Sequence, residues 1–322
     1  MTGPKKKSAA VLPQKGMQVV ETKNGITWIN VFRPTTSALQ SLQKRFPFLL
    51  DIDLRDCLPP FQRPKLLERK DYLFMVLIFP TYDSRTRTIR PVEVDFFVSP
   101  NFVITSQMEK MPQLTRLAEE CLNGDKTALK HLGRTSPELF FHLTHELTVS
   151  VFPLLTQMSN DILLAEREIF NEYGQETARK ILRIKNNIVQ CRQSMQGHKT
   201  VLRKFISRSG KLLDLRGMDL RLDDLIGHTK EIWDYLENDK DTIEAVYDSH
   251  TSLITHNASL ASQRLAALAL IIFPTTLIAA IFSMDVDFMP IRGHQYDFWI
   301  MLGFVLATMA GTFTFLKWKR WL

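Results

Sequence analysis

The chain has 322 residues, of which 45% are hydrophobic and 23% charged, and its formal net charge is +7. The basic balance alone would allow nucleic-acid binding, but the sequence lacks a motif that interleaves basic and aromatic residues, which argues against that partner. The three cysteines are odd in number and far apart. We therefore expect reduced, packed thiols rather than a disulfide framework.

The first 130 residues predict a mixed α/β region behind a poorly ordered tail. Apolar, β-rich runs predict strands, and one of them, YLFMVLIF, is apolar almost throughout. Apolar residues at helical spacing predict short helices between and after the strands. The expected strands cover residues 26–32, 72–79, 92–98 and 101–105, and the expected helices cover 36–46 and 112–122.

Long helices are expected over the rest of the chain, because no proline occurs between Pro153 and Pro274. Glycines at 174 and 210 mark two candidate breaks. The predicted helices cover about 138–172, 175–208 and 219–283.

The third predicted helix repeats apolar residues at a spacing of seven, which indicates packing against other helices along its length. Polar residues interrupt the pattern and would suit helices that surround a wet axis. A bundle within one chain is an equally acceptable interpretation, and both stay open. One apolar row contains Ile226, Trp233, Tyr247, Ile254, Ala261 and Leu268, and a second contains Leu222, Leu236 and Ile243.

Two stretches without charged residues, 265–282 and 298–316, are long enough to cross a bilayer. At 1.5 Å per residue, a helix of about 20 residues spans the hydrocarbon core. Basic residues precede the first stretch and follow the second, whereas the short loop between them is acidic. The positive-inside rule then places both termini in the cytoplasm. We expect a multi-pass protein of the cell (inner) membrane, and a soluble enzyme fits this pattern poorly.

Two spans cannot enclose a hydrophilic path, so several copies are needed around an axis. The second span carries Gly303, Ala307 and Gly311, whose spacing of four allows helices to approach closely. The first span contains Thr275 and Thr276 and is the better candidate for a pore wall.

These segments together resemble the CorA-type divalent cation transporters, in the class with two spans and a G-x-N signature. The resemblance runs along nearly the whole chain. It rests on FQRPK before DYLFMVLIFPTYD, on FFVSPNFVIT, on PTTLIAAIFSMDVDFMP and on the basic end KWKRWL, in that order and spacing.

The resemblance implies an α+β cytoplasmic domain, with a mixed sheet and flanking helices, followed by long helices and two transmembrane helices in a funnel-shaped homopentamer. The expected segments are a flexible tail (1–24), a cytoplasmic α/β domain (25–135), its helical hairpin (136–218), a stalk helix continuing into the first transmembrane helix (219–284), an external loop (285–297), the second transmembrane helix (298–316) and a basic cytoplasmic tail (317–322).

The resemblance also implies a divalent cation channel that takes up Mg²⁺, or Co²⁺ or Ni²⁺, down its electrochemical gradient. Mg²⁺ would be both the transported and the regulatory ion. The expected partners are other copies of the chain, the lipid bilayer and divalent cations. Neither an enzymatic activity nor an organic cofactor is expected, and the sequence shows no phosphate-cradling glycine loop.

Carried over by position, one set of residues along the end of the stalk helix and the first span would line the pore. Asp56 and Asp224 would form a regulatory metal site between subunits that senses cytoplasmic Mg²⁺. A neighbouring acid of the family's site is Arg55 here, which places a second ion there in doubt. The pore-lining residues would be Ser259, Ser262, Leu265, Phe273 and Thr276, with Leu265 and Phe273 as an apolar constriction.

The chain departs from the family at its signature, which reads Ser283-Met284-Asp285 in place of Gly-Met-Asn. An Asn ring would hold the waters of a hydrated ion, which suits Mg²⁺ because it loses water reluctantly. The carboxylates of five Asp285 side chains at the pore entrance would repel each other, and they would take up protons or hold a cation tightly. We expect tighter binding and poorer discrimination among divalent ions. Asp287 is retained as the nearby acid of the external loop.

Two other functions stay open within this interpretation. The altered signature also fits a Zn²⁺ or transition-metal transporter like the family's ZntB branch, or a non-conducting metal-sensing paralogue. The stretch His142-x-x-His145-Glu146 lacks the spacing of a zinc hydrolase motif, so we expect it to serve packing or a helix surface.

Overall fold

The structure is a computed structural model that describes residues 16–21, 25–125, 132–169, 175–284 and 295–319. It divides into two compact units, Met1–Tyr247 and Asp248–Leu322.

The first unit is built on a six-stranded mixed sheet in the order β1-β2-β6-β5-β4-β3. Strands β2 and β6 pair in parallel, and the other neighbours pair antiparallel. The four predicted strands are confirmed, whereas β1 and β3 were missed because each is a short strand at an edge of the sheet. β1 lies within the stretch 1–24 that was predicted to be a flexible tail, so that prediction is wrong for residues 17–21, which pair with β2. The strands are β1 (Met17–Glu21), β2 (Thr27–Phe32), β3 (Lys65–Glu68), β4 (Leu73–Asp83), β5 (Thr88–Ser99) and β6 (Phe102–Gln107).

Both faces of the sheet are buried, which explains why β4 is apolar nearly throughout rather than alternating. One face packs against α1 (Thr36–Arg45) and α2 (Asp51–Asp56). The other packs against α3 (Pro112–Leu122) and residues of three later helices. Those helices are α4 (Ser136–Val149), α7 (His198–Ser209) and the start of α8 (Asp219–Ser283).

The prediction of a single helix over 138–172 is wrong. The chain forms α4 and then α5 (Phe152–Glu168), with Pro153 in the first turn of the second helix. A proline there lacks only an N–H that would be unpaired anyway, so it starts a helix more readily than it continues one. The stretch 170–174, which contains the first predicted break, lies outside the described residues.

The prediction of one helix over 175–208 is also wrong, because α6 (Gln175–Met195) ends before α7 begins. Gly197 lies at this break, where an added Cβ would come within 2.4 Å of the Pro64 side chain. The close approach of the rigid Pro64 ring therefore requires glycine at this position.

Helix α8 confirms the third predicted helix, and in the first unit its second apolar row faces the chain's own core. Leu222, Leu236 and Ile243 are buried there. Packing within the chain therefore accounts for this part of the seven-residue repeat. In the second unit, Ile254 and Leu268 of the first row are exposed, so that part of the repeat finds no cover in a single chain.

The second unit contains the rest of α8 and the helix α9 (Asp297–Trp318). Both predicted spans fall inside these helices, which are long and apolar enough to cross a membrane. Only 6% of the most apolar window of each is buried. Two exposed apolar helices of this length fit a lipid environment far better than water.

The cysteines are free and buried, as predicted, in the described part of the chain.

Candidate metal sites and the exposed helix face

Asp56 is the last residue of α2, and its carboxylate is already paired within the chain. Lys65 Nζ lies 2.5 Å from Asp56 Oδ2 and 3.3 Å from Gln62 Oε1. Both side chains of the ion pair are partly buried, at 23% and 28% exposure. A divalent cation that binds Asp56 must therefore displace or share the Lys65 ammonium.

Asp53, one turn earlier on α2, has a structural role. Its carboxylate is fully buried and accepts hydrogen bonds from both Arg69 nitrogens, at 2.8 and 2.6 Å, and from the Tyr72 hydroxyl, at 2.6 Å. Such a buried carboxylate is tolerated only when it is paired and fully hydrogen-bonded. This network ties α2 to the turn between β3 and β4, one helical turn before Asp56.

Two further acids, Glu93 and Asp95, lie on β5, and Glu93 is close enough to Asp56 for the two charges to interact. Burial raises the pKa of Glu93, although Gln62 N–H donates to its carboxylate at 2.5 Å. Burial also raises the pKa of Asp95 well above its usual range, and the nearby Glu93 raises it further. Sequence reasoning missed both, because an acid inside an apolar strand gives no signal of its own. When ionised, Glu93 adds negative charge near Asp56, whereas burial favours the neutral form of Asp95.

The same acids line a cavity of about 460 Å³ between β5 and the segment that follows α2. Asp95 is only 2% exposed, and its Oδ1 has no hydrogen-bond partner in the described part of the chain. The remaining wall is mostly apolar, with Pro59, Pro60 and Phe61 among its residues.

Asp224 lies in the second turn of α8 and meets two histidines. His228 Nε2 is 3.5 Å from Asp224 Oδ2, and the His145 and His228 ring centroids are 5.6 Å apart. One ligand atom from each of the three residues lies within 4.8 Å of the others. We name these three residues the His–Asp–His cluster. Among the described residues it is the one group of three metal-ligating side chains this close together.

Local packing explains why these residues converge. Helix α4 begins behind Thr135, whose hydroxyl accepts the Glu138 N–H at 3.3 Å, and it buries Leu143 and Leu147 against the sheet. Helix α8 buries Leu222 and Leu225 in the same core. The half-exposed faces of the two helices then carry His145 and the Asp224–His228 pair.

Asp56 and Asp224 have different partners within one chain, Lys65 and the histidines respectively. Their pairing across two subunits stays a prediction.

The five predicted pore-lining residues all belong to α8 and lie on one side of it. At 3.6 residues per turn they fall within an arc of about 120°. All five are exposed, and Leu265 and Phe273 reach 68% and 72% exposure. Ala267, the one buried residue of this stretch, lies on the opposite side of the helix, as do the partly exposed Ile271 and Ile278.

The signature residues are described only in part. Ser283 is the last residue of α8, and its hydroxyl donates to the Ala280 carbonyl at 3.1 Å. Met284 is 57% exposed. Asp285 and Asp287 lie outside the described residues.

Comparison with known proteins agrees with this architecture. The cobalt/magnesium transport protein CorA of Thermotoga maritima is 23% identical over 296 residues, covering 92% of this chain and 83% of that protein. The solved CorA magnesium transporter of Methanocaldococcus jannaschii matches with a TM-score of 0.84 at 17% identity, covering 97% and 100% of the two chains. The ZntB cytoplasmic domain from Vibrio parahaemolyticus matches with a TM-score of 0.60 at 9% identity, covering 76% and 99%.

The two structures show a shared fold: a mixed sheet with helices, and in the M. jannaschii protein also a long helix and a second apolar helix. The family model described as CorA-like Mg²⁺ transporter protein matches residues 23–320. The chain therefore belongs to the CorA-like Mg²⁺ transporter family, whose members are membrane transporters of divalent metal ions and not enzymes.

Proposed function

We propose that this divalent metal transporter is a homopentameric channel for Mg²⁺ uptake, with α8 of each copy lining a central pore. One observation carries the proposal: the five predicted pore residues share one exposed side of α8, opposite its least exposed side. Five helices around an aqueous axis would each turn such a face, with hydroxyl and apolar side chains together, toward the axis. A face that only contacts lipid would be expected to be apolar throughout.

The hydroxyl of Thr276 suits a path for a hydrated ion. It donates to the Ile272 carbonyl of its own helix at 2.9 Å, which leaves its lone pairs available to water around a cation. Leu265 and Phe273 on the same side supply an apolar constriction that closes by excluding water.

The membrane potential is sufficient to drive uptake. It is worth about 2.3 kcal/mol per charge per 100 mV, and so about twice that for a divalent ion.

Asp56 and Asp224 would sense cytoplasmic Mg²⁺ across neighbouring subunits and favour the closed channel when occupied. The Lys65 ammonium would compete with Mg²⁺ for the Asp56 carboxylate, because the two side chains form an ion pair within the chain. We expect Asp224→Asn to weaken inhibition by internal Mg²⁺, and Lys65→Gln to strengthen it by freeing the Asp56 carboxylate. Flux at graded internal Mg²⁺ measures both changes. Unchanged inhibition in Asp224→Asn would contradict the role of this residue.

The pore wall is tested by Mg²⁺ flux in proteoliposomes. Thr276→Phe adds bulk to the proposed pore side and should abolish flux. Leu268→Phe adds bulk to an exposed position outside that side and should leave flux near the wild-type value. Equal flux in the two variants would show that this side of α8 does not line the path.

The ion preference rests on Asp285 at the pore entrance. Wild type and Asp285→Asn should be compared across Mg²⁺, Co²⁺, Ni²⁺ and Zn²⁺. We expect the amide to weaken binding and to sharpen the preference for Mg²⁺, because it can no longer enter the first coordination shell as a charged ligand. An unchanged affinity and ion order would refute the importance of this substitution.

A second candidate function is Zn²⁺ or transition-metal transport of the ZntB type, which the carboxylate at position 285 favours. Flux of Zn²⁺ above that of Mg²⁺ in the same liposomes would support it. Metal binding without any flux would instead identify a non-conducting metal sensor.

A further inference from the structure

We propose that the His–Asp–His cluster, formed by His145, Asp224 and His228, binds one transition-metal ion of the Zn²⁺, Co²⁺ or Ni²⁺ class within a single subunit. This site is distinct from the inter-subunit Mg²⁺ site proposed above, although Asp224 belongs to both. It does not depend on whether the channel conducts Mg²⁺.

The first support is the scaffold. Asp224 and His228 are four residues apart on α8, so their side chains project from the same side of one helix. The third donor, His145, comes from α4, which packs on the same core. Two donors on one helix and a third on another already place one ligand atom each within 4.8 Å of the others, before any ion is bound.

The second support is the surroundings of His228. Its Nε2 faces Asp224, while Glu231 Oε2 lies 3.7 Å from its Nδ1. A carboxylate beside the second ring nitrogen orients a metal-binding histidine and strengthens it as a ligand. The Phe152 ring packs edge-on against His228 at 5.7 Å and limits its rotation. The imidazole is therefore partly positioned before any ion binds.

The third support is donor chemistry. Two imidazole nitrogens and one carboxylate oxygen match the preference of Zn²⁺ and its neighbours in the first transition series. Mg²⁺ prefers oxygen ligands in octahedral geometry and gains little from imidazole. Three protein donors also leave at least one position for water, so the ion would exchange rather than be locked in place.

The consequence is a direct competition at Asp224. A transition-metal ion held by the two histidines would engage the same carboxylate that is proposed to bind Mg²⁺ between subunits. The α/β unit would then respond to two chemical classes of cation at one residue.

The test uses the purified full-length protein in detergent, with Zn²⁺ followed by calorimetry and Co²⁺ followed by its visible absorption. We expect His145→Ala and His228→Ala each to lower Zn²⁺ affinity at one site per subunit by at least about tenfold. His142→Ala, a histidine one turn away on α4 with similar exposure, should keep wild-type affinity. Glu231→Gln should lower it by a smaller factor.

Mg²⁺ binding separates this inference from the proposed transport function. Both histidine variants should keep wild-type Mg²⁺ binding, whereas Asp224→Asn should weaken both ions. Thermal unfolding without metal checks that the variants fold. Wild-type Zn²⁺ affinity in folded His145→Ala and His228→Ala would overturn the site, and so would a Co²⁺ spectrum that both variants leave unchanged. Loss of Mg²⁺ flux with intact Zn²⁺ binding would refute only the transport proposal.

Discussion

The two units of the chain differ in how much of their apolar surface each covers with its own residues. In the first, both faces of the sheet are covered, and even the buried carboxylate of Asp53 has a full set of partners. In the second, apolar side chains such as Phe273, Trp299 and Phe304 are more than half exposed. The first unit thus covers its own apolar surface, while the second leaves apolar surface exposed that suits a lipid environment.

The largest expected effect contrasts two phenylalanines, one from each unit. Phe140 is fully buried, in tilted contact with Phe205 at 4.4 Å, and Phe140→Ala should cost about 4 kcal/mol of unfolding free energy through the cavity left behind. Phe273→Ala removes a ring that is 72% exposed and should change the stability of the detergent-solubilised protein very little. Thermal unfolding measures both.

Similar losses of unfolding free energy in the two variants would mean that Phe273 is packed within one subunit as Phe140 is. Ion flux in proteoliposomes separates the same two variants. Phe273→Ala should raise ion leak through the proposed constriction, and Phe140→Ala should not.

A smaller effect concerns pH and His198, which is buried in the first unit. Its Nε2 donates to the Ile78 carbonyl at 2.7 Å, and burial lowers the pKa of this histidine to about 4. Its neutral form is favoured by folding, so its contribution is complete above about pH 6.5 and is lost as the pH falls from there toward 4. The loss should reach about 3 kcal/mol at pH 4.

Unfolding free energy measured from pH 7 to 4 tests this sign. His198→Gln should flatten the decline, since the glutamine cannot take up a proton and can still donate to Ile78. A variant that declines as steeply as wild type would assign the acid sensitivity to other groups.

The next prediction concerns the second unit and its need for partners. Gly303 and Gly311 of α9 have open space where a Cβ would stand. Introducing leucine at both positions should keep neighbouring helices apart and weaken the oligomer in detergent by about tenfold, or about 1.4 kcal/mol. The control is Met309→Leu, a substitution of similar volume on the side of α9 opposite the glycine stripe formed by Gly303, Ala307 and Gly311.

Size-exclusion chromatography with light scattering, over a dilution series, gives the oligomer population. A double variant that dissociates at the same concentration as Met309→Leu would show that the glycine stripe does not mediate assembly.

The smallest expected effect compares two adjacent threonines of α8. Both hydroxyls donate to carbonyls of their own helix, Thr275 to Ile271 at 2.8 Å and Thr276 to Ile272 at 2.9 Å. Thr276→Val removes a hydroxyl from the proposed pore side and should lower Mg²⁺ flux about threefold, or about 0.6 kcal/mol in the barrier. Thr275→Val removes the same group from a less exposed position and should leave flux unchanged.

Much of the architecture could be predicted, because it depends on patterns that are local in the chain. The uncharged stretches 265–282 and 298–316 identified both spans, and the apolar run at 72–79 identified the interior strand β4. The length of an uncharged stretch and the apolar character of a strand can be read from the local sequence, without knowing how distant segments pack. The edge strand β3, with four residues, has no comparable local signal.

The candidate sites depended on contacts between distant segments. The sequence placed His145 on a helix and offered it no metal partner, since the nearest acids and histidines had the wrong spacing. Only the packing of α4 and α8 on one core brings it to Asp224 and His228, about 80 residues later in the chain. The ion pair between Lys65 and Asp56 likewise follows from the placement of β3 beside α2.

The sequence by itself therefore determined the family, the two crossings and the main strands, because hydrophobic length and periodicity act locally. The tertiary structure decided which charged and ligating side chains meet, because contacts such as those of His145 and of Lys65 join different helices and strands. It also decided that one side of α8 stays uncovered in a single subunit, since that depends on where the remaining helix packs.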